Sequence, residues 1–274
     1  MKQSIEDIEI DLVIEAIRLC YGYDFRNYAR ASLVRRIKKG LNTTKVQSIS
    51  ELIPMIVHDQ KFFEKFFLNL SVNVTEMFRD ASFYKSFRSN VIPFLRTYPF
   101  IKIWVAGCST GEEVYSLSIL LKEENLYEKC LIYATDFNDQ VLEKAKQGIY
   151  PIEHIKQYTV NYQKSGGKCS FGDYYHADDR YVIIHRGLKE NIVFANHNLA
   201  TDSVFAEVML VCCRNVLIYF NQTLQNRVFS LFRDSLCYNG FICLGKKETI
   251  KYSDISDDFQ SIDEQEKIFQ KKRF

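Results

Sequence analysis

Apolar residues over roughly the first seventy positions recur at three- and four-residue steps, the spacing of amphipathic helices. Ile8, Leu12, Ile14, Ala16, Ile17 and Leu19 supply the apolar positions of a first helix, which ends at the Tyr21-Gly22 break. In YARASLVRRIKKGLN, Leu33, Val34, Ile37 and Leu41 share one face while Arg35, Arg36, Lys38 and Lys39 fall away from it. A Phe-rich helix follows over about 59–70. The pattern then changes. IKIWVA (101–106) is a short, continuous apolar run with β-branched and aromatic residues, bounded by glycine, and it predicts a buried strand. CLIYATD, ending in Asp136, and VMLVCCRN, ending in Arg214-Asn215, read the same way. Helices are expected from Glu112, over DQVLEKAKQ before Gly148, and over QTLQNRVFSLFRD. A turn is predicted at Asn239-Gly240, then a strand, and IDEQEKIFQKKRF as a last edge strand. The polar, tyrosine-rich stretch 152–190 reads as a loop with a small hairpin beside the sheet.

The glycine turn after the first strand is the usual ligand position of an open α/β sheet. Gly107 to Gly111 form that turn, and Ser109 and Thr110 stand three residues ahead of Glu112 and Glu113, as in a capping box. A phosphate would sit where these two carboxylates stand, so a dinucleotide or nucleoside triphosphate is disfavoured. No Lys-Ser/Thr follows the turn either. A ligand with ribose, adenine and cationic groups suits the turn better, and S-adenosylmethionine has that description. The alternative is that the glutamates only cap the helix. Asp136, about 25 residues past the turn, is where a carboxylate grips ribose hydroxyls. Arg214-Asn215 lie at a strand's C-terminal end, and an arginine among apolar residues needs a partner or a wet cleft. Thr75 is placed to cap a helix in which Arg79 sits near the N-terminus, unfavourable for the dipole unless an anionic partner is present. Pairing of Arg79 with Glu76 or Asp80 explains it equally well.

Composition trims the alternatives. The formal charge of +2 argues against a strongly cationic nucleic-acid binder. Arg30, Arg35, Arg36, Lys38 and Lys39 make the helical region the most basic part, either a solvated face or a docking surface for an acidic partner. Eight cysteines with no C-x-x-C pair, many inside apolar runs, read as reduced core residues. No zinc site is expected from five scattered histidines. Acids within the first apolar pattern exclude a signal peptide, so a cytoplasmic location is the default.

Taken together, NVTEMFRD, AGCSTGEEVYSL, ATDFNDQVLEKAKQGIY, FANHNL and CRNVLIYF resemble, in order, the chemotaxis receptor methyltransferases of the CheR type. These are S-adenosylmethionine-dependent protein-glutamate O-methyltransferases. The resemblance implies a class I methyltransferase-like Rossmann sheet, α/β and mostly parallel with the last strand antiparallel. It implies a helical N-terminal domain over 1–72 and a catalytic domain over 73–274, with a small inserted subdomain at about 155–190. By matching position, Asn73, Thr75 and Arg79 would contact the methionine half of the cofactor, Glu113 its cationic end and Asp136 its ribose. Asn198 and Leu199 would hold the adenine, with Gly107, Arg214 and Asn215 lining the site. Arg79 and Tyr219 would lie closest to the transferred methyl. The substrate implied is the acidic, glutamate-bearing helical region of a chemoreceptor, docked on the basic helix by a monomeric enzyme. A different protein or RNA target, or a non-catalytic cofactor sensor, are the competing readings. The chain departs from the family at Met77, usually Phe, at Met209, near a usual Asp, and at Lys246-Lys247, where a His-Ser pair is usual. The longer, glycine-rich 155–190 segment implies receptor recognition without a tethered tail peptide.

Overall fold

A computed structural model describes residues 3–44, 46–70 and 75–273. Two units emerge, Met1–Asn73 with Ile218–Gln225, and Val74–Leu217 with Asn226–Phe274. The first holds α1 (Ile5–Tyr21), α2 (Arg30–Leu41), α3 (Leu52–His58) and α4 (Gln60–Leu70). Ser4 caps α1 by accepting the Asp7 N–H, and Gly22 closes it in the left-handed conformation. The face of α1 that is buried carries Ile10, Val13, Ile14 and Ile17. Ile8, Leu12 and Leu19, expected in the core, are exposed instead. The helix is apolar on two faces, so periodicity alone does not select the inner one. Glycine at position 40, inside α2, lets the Phe66 ring of α4 approach; a Cβ there would lie 2.5 Å from it. The segment Ile218–Gln225 joins this unit through the Tyr28–Phe220 bridge and the Ala29 N–H bond to the Tyr219 carbonyl at 2.7 Å.

The second unit begins with α5 (Ala81–Asn90) and α6 (Ile92–Leu95). Its sheet contains β1 (Ile101–Ala106), β2 (Cys130–Asp136), β6 (Ile192–Asn196), β7 (Val208–Cys213), β8 (Leu236–Leu244), β9 (Phe259–Asp263) and β10 (Ile268–Lys271). Their order is β6-β2-β1-β7-β8-β10-β9. The first five are parallel, and β10 runs antiparallel to both neighbours. The expected mostly parallel sheet with an antiparallel last strand is therefore present. Connecting helices are α7 (Glu112–Glu123), α8 (Asp139–Gln147) and α10 (Gln222–Ser235). The central strand β1 is almost wholly buried, and Trp104 donates its indole N–H to Thr135 at 2.8 Å.

Four local expectations are corrected. The tail forms a hairpin whose β10 lies inside the sheet, so the edge strand is β9. Asn239-Gly240 is not a turn but part of β8, where Asn239 takes a positive φ within a register shift. Stretch 152–190 contains a ten-residue helix, α9 (Ile155–Lys164). With β3 (Ile149–Pro151), β4 (Tyr175–Ala177) and β5 (Tyr181–Ile184) it makes a small antiparallel subdomain. Several of its tyrosines are core residues: Tyr158, Tyr162 and Tyr174 are buried, whereas Tyr181 is exposed. Finally, no helix starts at Thr75. Phe78 and Asp80 both take left-handed φ values, which turns the chain sharply before α5 begins at Ala81. Among the described residues no helix is long and apolar enough to cross a membrane.

Candidate active site

The C-terminal ends of β1, β2 and β7 meet at one edge of the sheet, and the turns leaving them carry the predicted residues. Gly107, with φ +73°, turns β1 away; a Cβ there would stand 2.6 Å from Val216. Its N–H and that of Cys108 both donate to the Thr135 carbonyl at 2.8 Å, which fixes the turn to the end of β2. The expected capping box does not form. Gly111, in the left-handed conformation, precedes α7 without a side-chain cap. Thr110 donates its hydroxyl to Glu112 at 2.6 Å instead, and Glu112 is buried beside Tyr158. Burial raises the Glu112 carboxyl to about 7.

Asp136 ends β2 facing this turn. Its two oxygens accept the Ser109 N–H at 3.0 Å and the Asn138 N–H at 3.1 Å. Burial nevertheless lifts its pKa to about 6, the two N–H donors offsetting only part of the desolvation. The Ser109 hydroxyl is buried without a partner. Such an atom next to a carboxylate is a place for a ligand hydroxyl.

Arg214 leaves the end of β7 almost entirely buried. It donates to Asp80 at 2.9 Å and to the Arg79 carbonyl at 3.1 Å, lies 3.6 Å from Glu113, and stacks on the Phe83 ring. The Asp80 carboxylate is thus engaged by Arg214. Glu113 accepts a hydrogen bond from the Cys212 thiol at 2.7 Å. We expect Cys212→Ala to weaken cofactor binding severalfold by releasing that carboxylate, and Cys212→Ser, which keeps a donor, to restore most of it. Calorimetric titration of the three proteins reads the difference, and equal affinities would remove Cys212 from the site. Asn215 is held with φ 62° because Glu248 accepts both its N–H, at 2.9 Å, and that of Gly245, at 2.6 Å. Strain is concentrated here: Phe78, Asp80, Ser109 and Asn215 are all non-glycine residues at positive φ.

Sequence reasoning thus missed Asp80, Cys212 and Glu248. Only Asp80 carried a signal, as a charged neighbour of Arg79. Asn198 and Leu199 follow the end of β6, beside β2. The Asn198 side-chain oxygen accepts from Ala200 N, and Leu199 is buried. Thr75 is half-buried in the second unit, while Asn73 lies outside the described residues. Tyr219 belongs to the helical unit, where the Arg36 guanidinium stands 4.8 Å from its ring. Arg36 is half-buried and also donates to the Leu70 carbonyl. Arg30 pairs with Asp7 and Asp11, and Lys38 with Glu6, whereas Arg35 and Lys39 are exposed. Of the departures, Met77 is buried, Met209 accepts the Lys102 N–H, and Lys246 bonds Ser82 and pairs with Glu266.

Two acidic residues facing a glycine turn, with an orphan hydroxyl and no phosphate cradle, fit a ligand offering ribose hydroxyls and a positive centre. The fold and site define an S-adenosylmethionine-dependent methyltransferase. Residues 73–268 match the CheR methyltransferase SAM-binding domain and residues 8–71 the CheR all-alpha domain, and the chain belongs to the CheR methyltransferase family. It is 49% identical to the Pseudomonas putida protein described as methyltransferase Cher3, over 97% of both chains. It is 27% identical to a chemotaxis protein methyltransferase of Listeria innocua, covering 90% of this chain and 92% of that one. The Escherichia coli chemotaxis protein methyltransferase is also 27% identical, over 80% of this chain and 75% of its own.

Proposed function

We propose that the protein methylates glutamate side chains on the cytoplasmic helical region of a chemoreceptor, giving glutamyl methyl esters. The observation that supports this most is Asp136 buried at the end of β2 and Glu113 held by Cys212 in the first turn of α7, in a chain whose relatives are named for chemotaxis methylation. When bound, S-adenosylmethionine supplies a methyl group on a positive sulfonium. Glu113 takes the cationic amino acid end of that molecule and Asp136 its ribose. Asn198 and Leu199 form the adenine side, and Gly107, Thr75 and Asn215 line the remainder. A substrate glutamate is ionised at neutral pH, so no general base is required and positioning is the main task. Arg79 orients the incoming carboxylate. A second donor for it, on the family's pattern, is the Tyr219 hydroxyl.

Receptor docking falls to the exposed cations of α2. Arg35→Glu with Lys39→Glu should lower methylation of a receptor cytoplasmic fragment about tenfold, since like charges across an interface cost both encounter rate and affinity. Cofactor affinity should stay unchanged. The assay is base-labile label transferred from methyl-labelled S-adenosylmethionine; label appearing only on RNA would sink the reading.

A further inference from the structure

Arg79 sits between two residues held in left-handed backbone conformations, Phe78 at φ 54° and Asp80 at φ 57°. A non-glycine residue keeps such a conformation only where its surroundings hold it there. Two of the holders belong to the sheet and its first helix. Ser116 of α7 accepts the Phe78 N–H at 2.8 Å, and Arg214 donates to the Arg79 carbonyl and the Asp80 carboxylate. The third comes from the inserted subdomain. Asn161 of α9, itself buried, donates its side-chain N–H to the Met77 carbonyl at 3.0 Å. Gln157, one turn earlier on α9, donates to the Asn161 side-chain oxygen at 2.8 Å, which fixes the end of the amide that faces Met77. The subdomain also grips the Phe78 side chain. That ring is wholly buried and meets Tyr162 edge-on at 5.2 Å and Phe171 at 6.2 Å, with Tyr84 of α5 at 5.0 Å. Tyr162 is anchored in turn: Glu123, at the end of α7, accepts its hydroxyl, the Tyr174 hydroxyl at 3.0 Å and the Lys168 N–H at 2.8 Å.

We propose that Asn161 is a positioning residue for methyl transfer. By holding the Met77 carbonyl it sets the left-handed turn at Phe78, and through Phe78 the direction in which Arg79 leaves the chain. The inserted subdomain is then part of the catalytic apparatus and not only a surface beside it. This rests on the role proposed for Arg79 in orienting the substrate carboxylate. Without the Asn161 donor, a buried carbonyl loses a hydrogen bond and Phe78 is free to relax toward an ordinary backbone region. The peptides on either side of Phe78 then rotate and carry Arg79 with them. Misplacing a reacting group by about 1 Å costs on the order of 100-fold in rate. Glu113 and Asp136 stand on α7 and β2, so cofactor binding does not depend on this clamp. The loss therefore falls on kcat.

Two variants test it with a receptor cytoplasmic fragment and methyl-labelled S-adenosylmethionine. Asn161→Leu removes the amide, and Asn161→Asp keeps its shape and the Gln157 bond but not the donor. Each should lower kcat about tenfold or more. KM for the fragment and the calorimetric affinity for cofactor should change by less than about twofold. Because Asn161 acts through Arg79, Asn161→Leu added to Arg79→Ala should cost nothing further, whereas a merely structural role gives additive losses. Ile183→Ser, on the exposed face of the same subdomain, should leave kcat unchanged. Hydrogen exchange reads the clamp without any methyl acceptor: amides 77–80 should exchange faster in Asn161→Leu while those of β1 and β2 stay protected. Unchanged exchange at 77–80, native kcat in both Asn161 variants, additive losses with Arg79→Ala, or a loss confined to KM would each overturn the proposal. A native protein that labels no receptor fragment, with exchange altered as expected, upholds the clamp and overturns only the substrate proposed for it.

Discussion

Asp136→Ala is expected to weaken S-adenosylmethionine binding about a hundredfold. Hydrogen bonds to a charged acceptor contribute roughly 1.5–3 kcal/mol each, and the ribose offers two hydroxyls. Isothermal titration reads the loss directly, and an unchanged affinity would remove Asp136 from the ribose role. The same residue sets a pH dependence whose sign is fixed. Burial holds its pKa near 6, above the ordinary 3.8, so the free site is already partly protonated in mildly acidic solution. Ribose hydroxyls bind the ionised form, and a protonated Asp136 must first lose its proton. Affinity should therefore be level above about pH 7 and fall as pH drops through 6, approaching tenfold per unit below it. Asp136→Asn should flatten that profile while binding weakly throughout.

Arg214→Met should be the most damaging single change to stability, by about 3 kcal/mol. The guanidinium is buried against Phe83 and bonded to Asp80 and the Arg79 carbonyl, with Glu113 close by. Methionine fills similar space but leaves two carboxylates and a carbonyl without their cation, and breaking a buried pair from one side typically costs 3–5 kcal/mol. The lower figure applies because Asp80 and Glu113 keep some contact with water. Arg214→Lys should fall between, since an ammonium preserves the charge but not the planar fork or the stack. Urea unfolding measures both. A loss below about 1 kcal/mol for methionine would mean that the network stabilises little beyond what packing alone supplies.

Strong periodicity made the frame legible. The runs IKIWVA, CLIYATD and VMLVCC became β1, β2 and β7, because a strand buried on both faces leaves an uninterrupted apolar signature. Asp136 and the Arg214-Asn215 pair were legible for the same reason: each is the first polar group past such a run. The 152–190 stretch was not, because its core is built from tyrosines, which read as polar in sequence yet bury their rings. Nor was the turn before α5, since left-handed Phe78 and Asp80 carry no glycine to announce them. The Glu248 clip on Asn215 joins residues far apart in sequence, and only folding brings them together. On α1 the difficulty was surplus, with two apolar faces where the pattern called for one.

The return of Ile218–Gln225 to the helical unit bears on how such proteins diversify. Because this segment pairs with Tyr28 and Ala29, the helical unit is not a prefix that recombination can exchange by a single junction near residue 73. A chimera that imports foreign helices at its N-terminus keeps the old 218–225 and inherits a mismatched seam. On the docking role proposed for α2, new specificity is then reached more readily by point changes on its exposed side than by wholesale replacement of the unit.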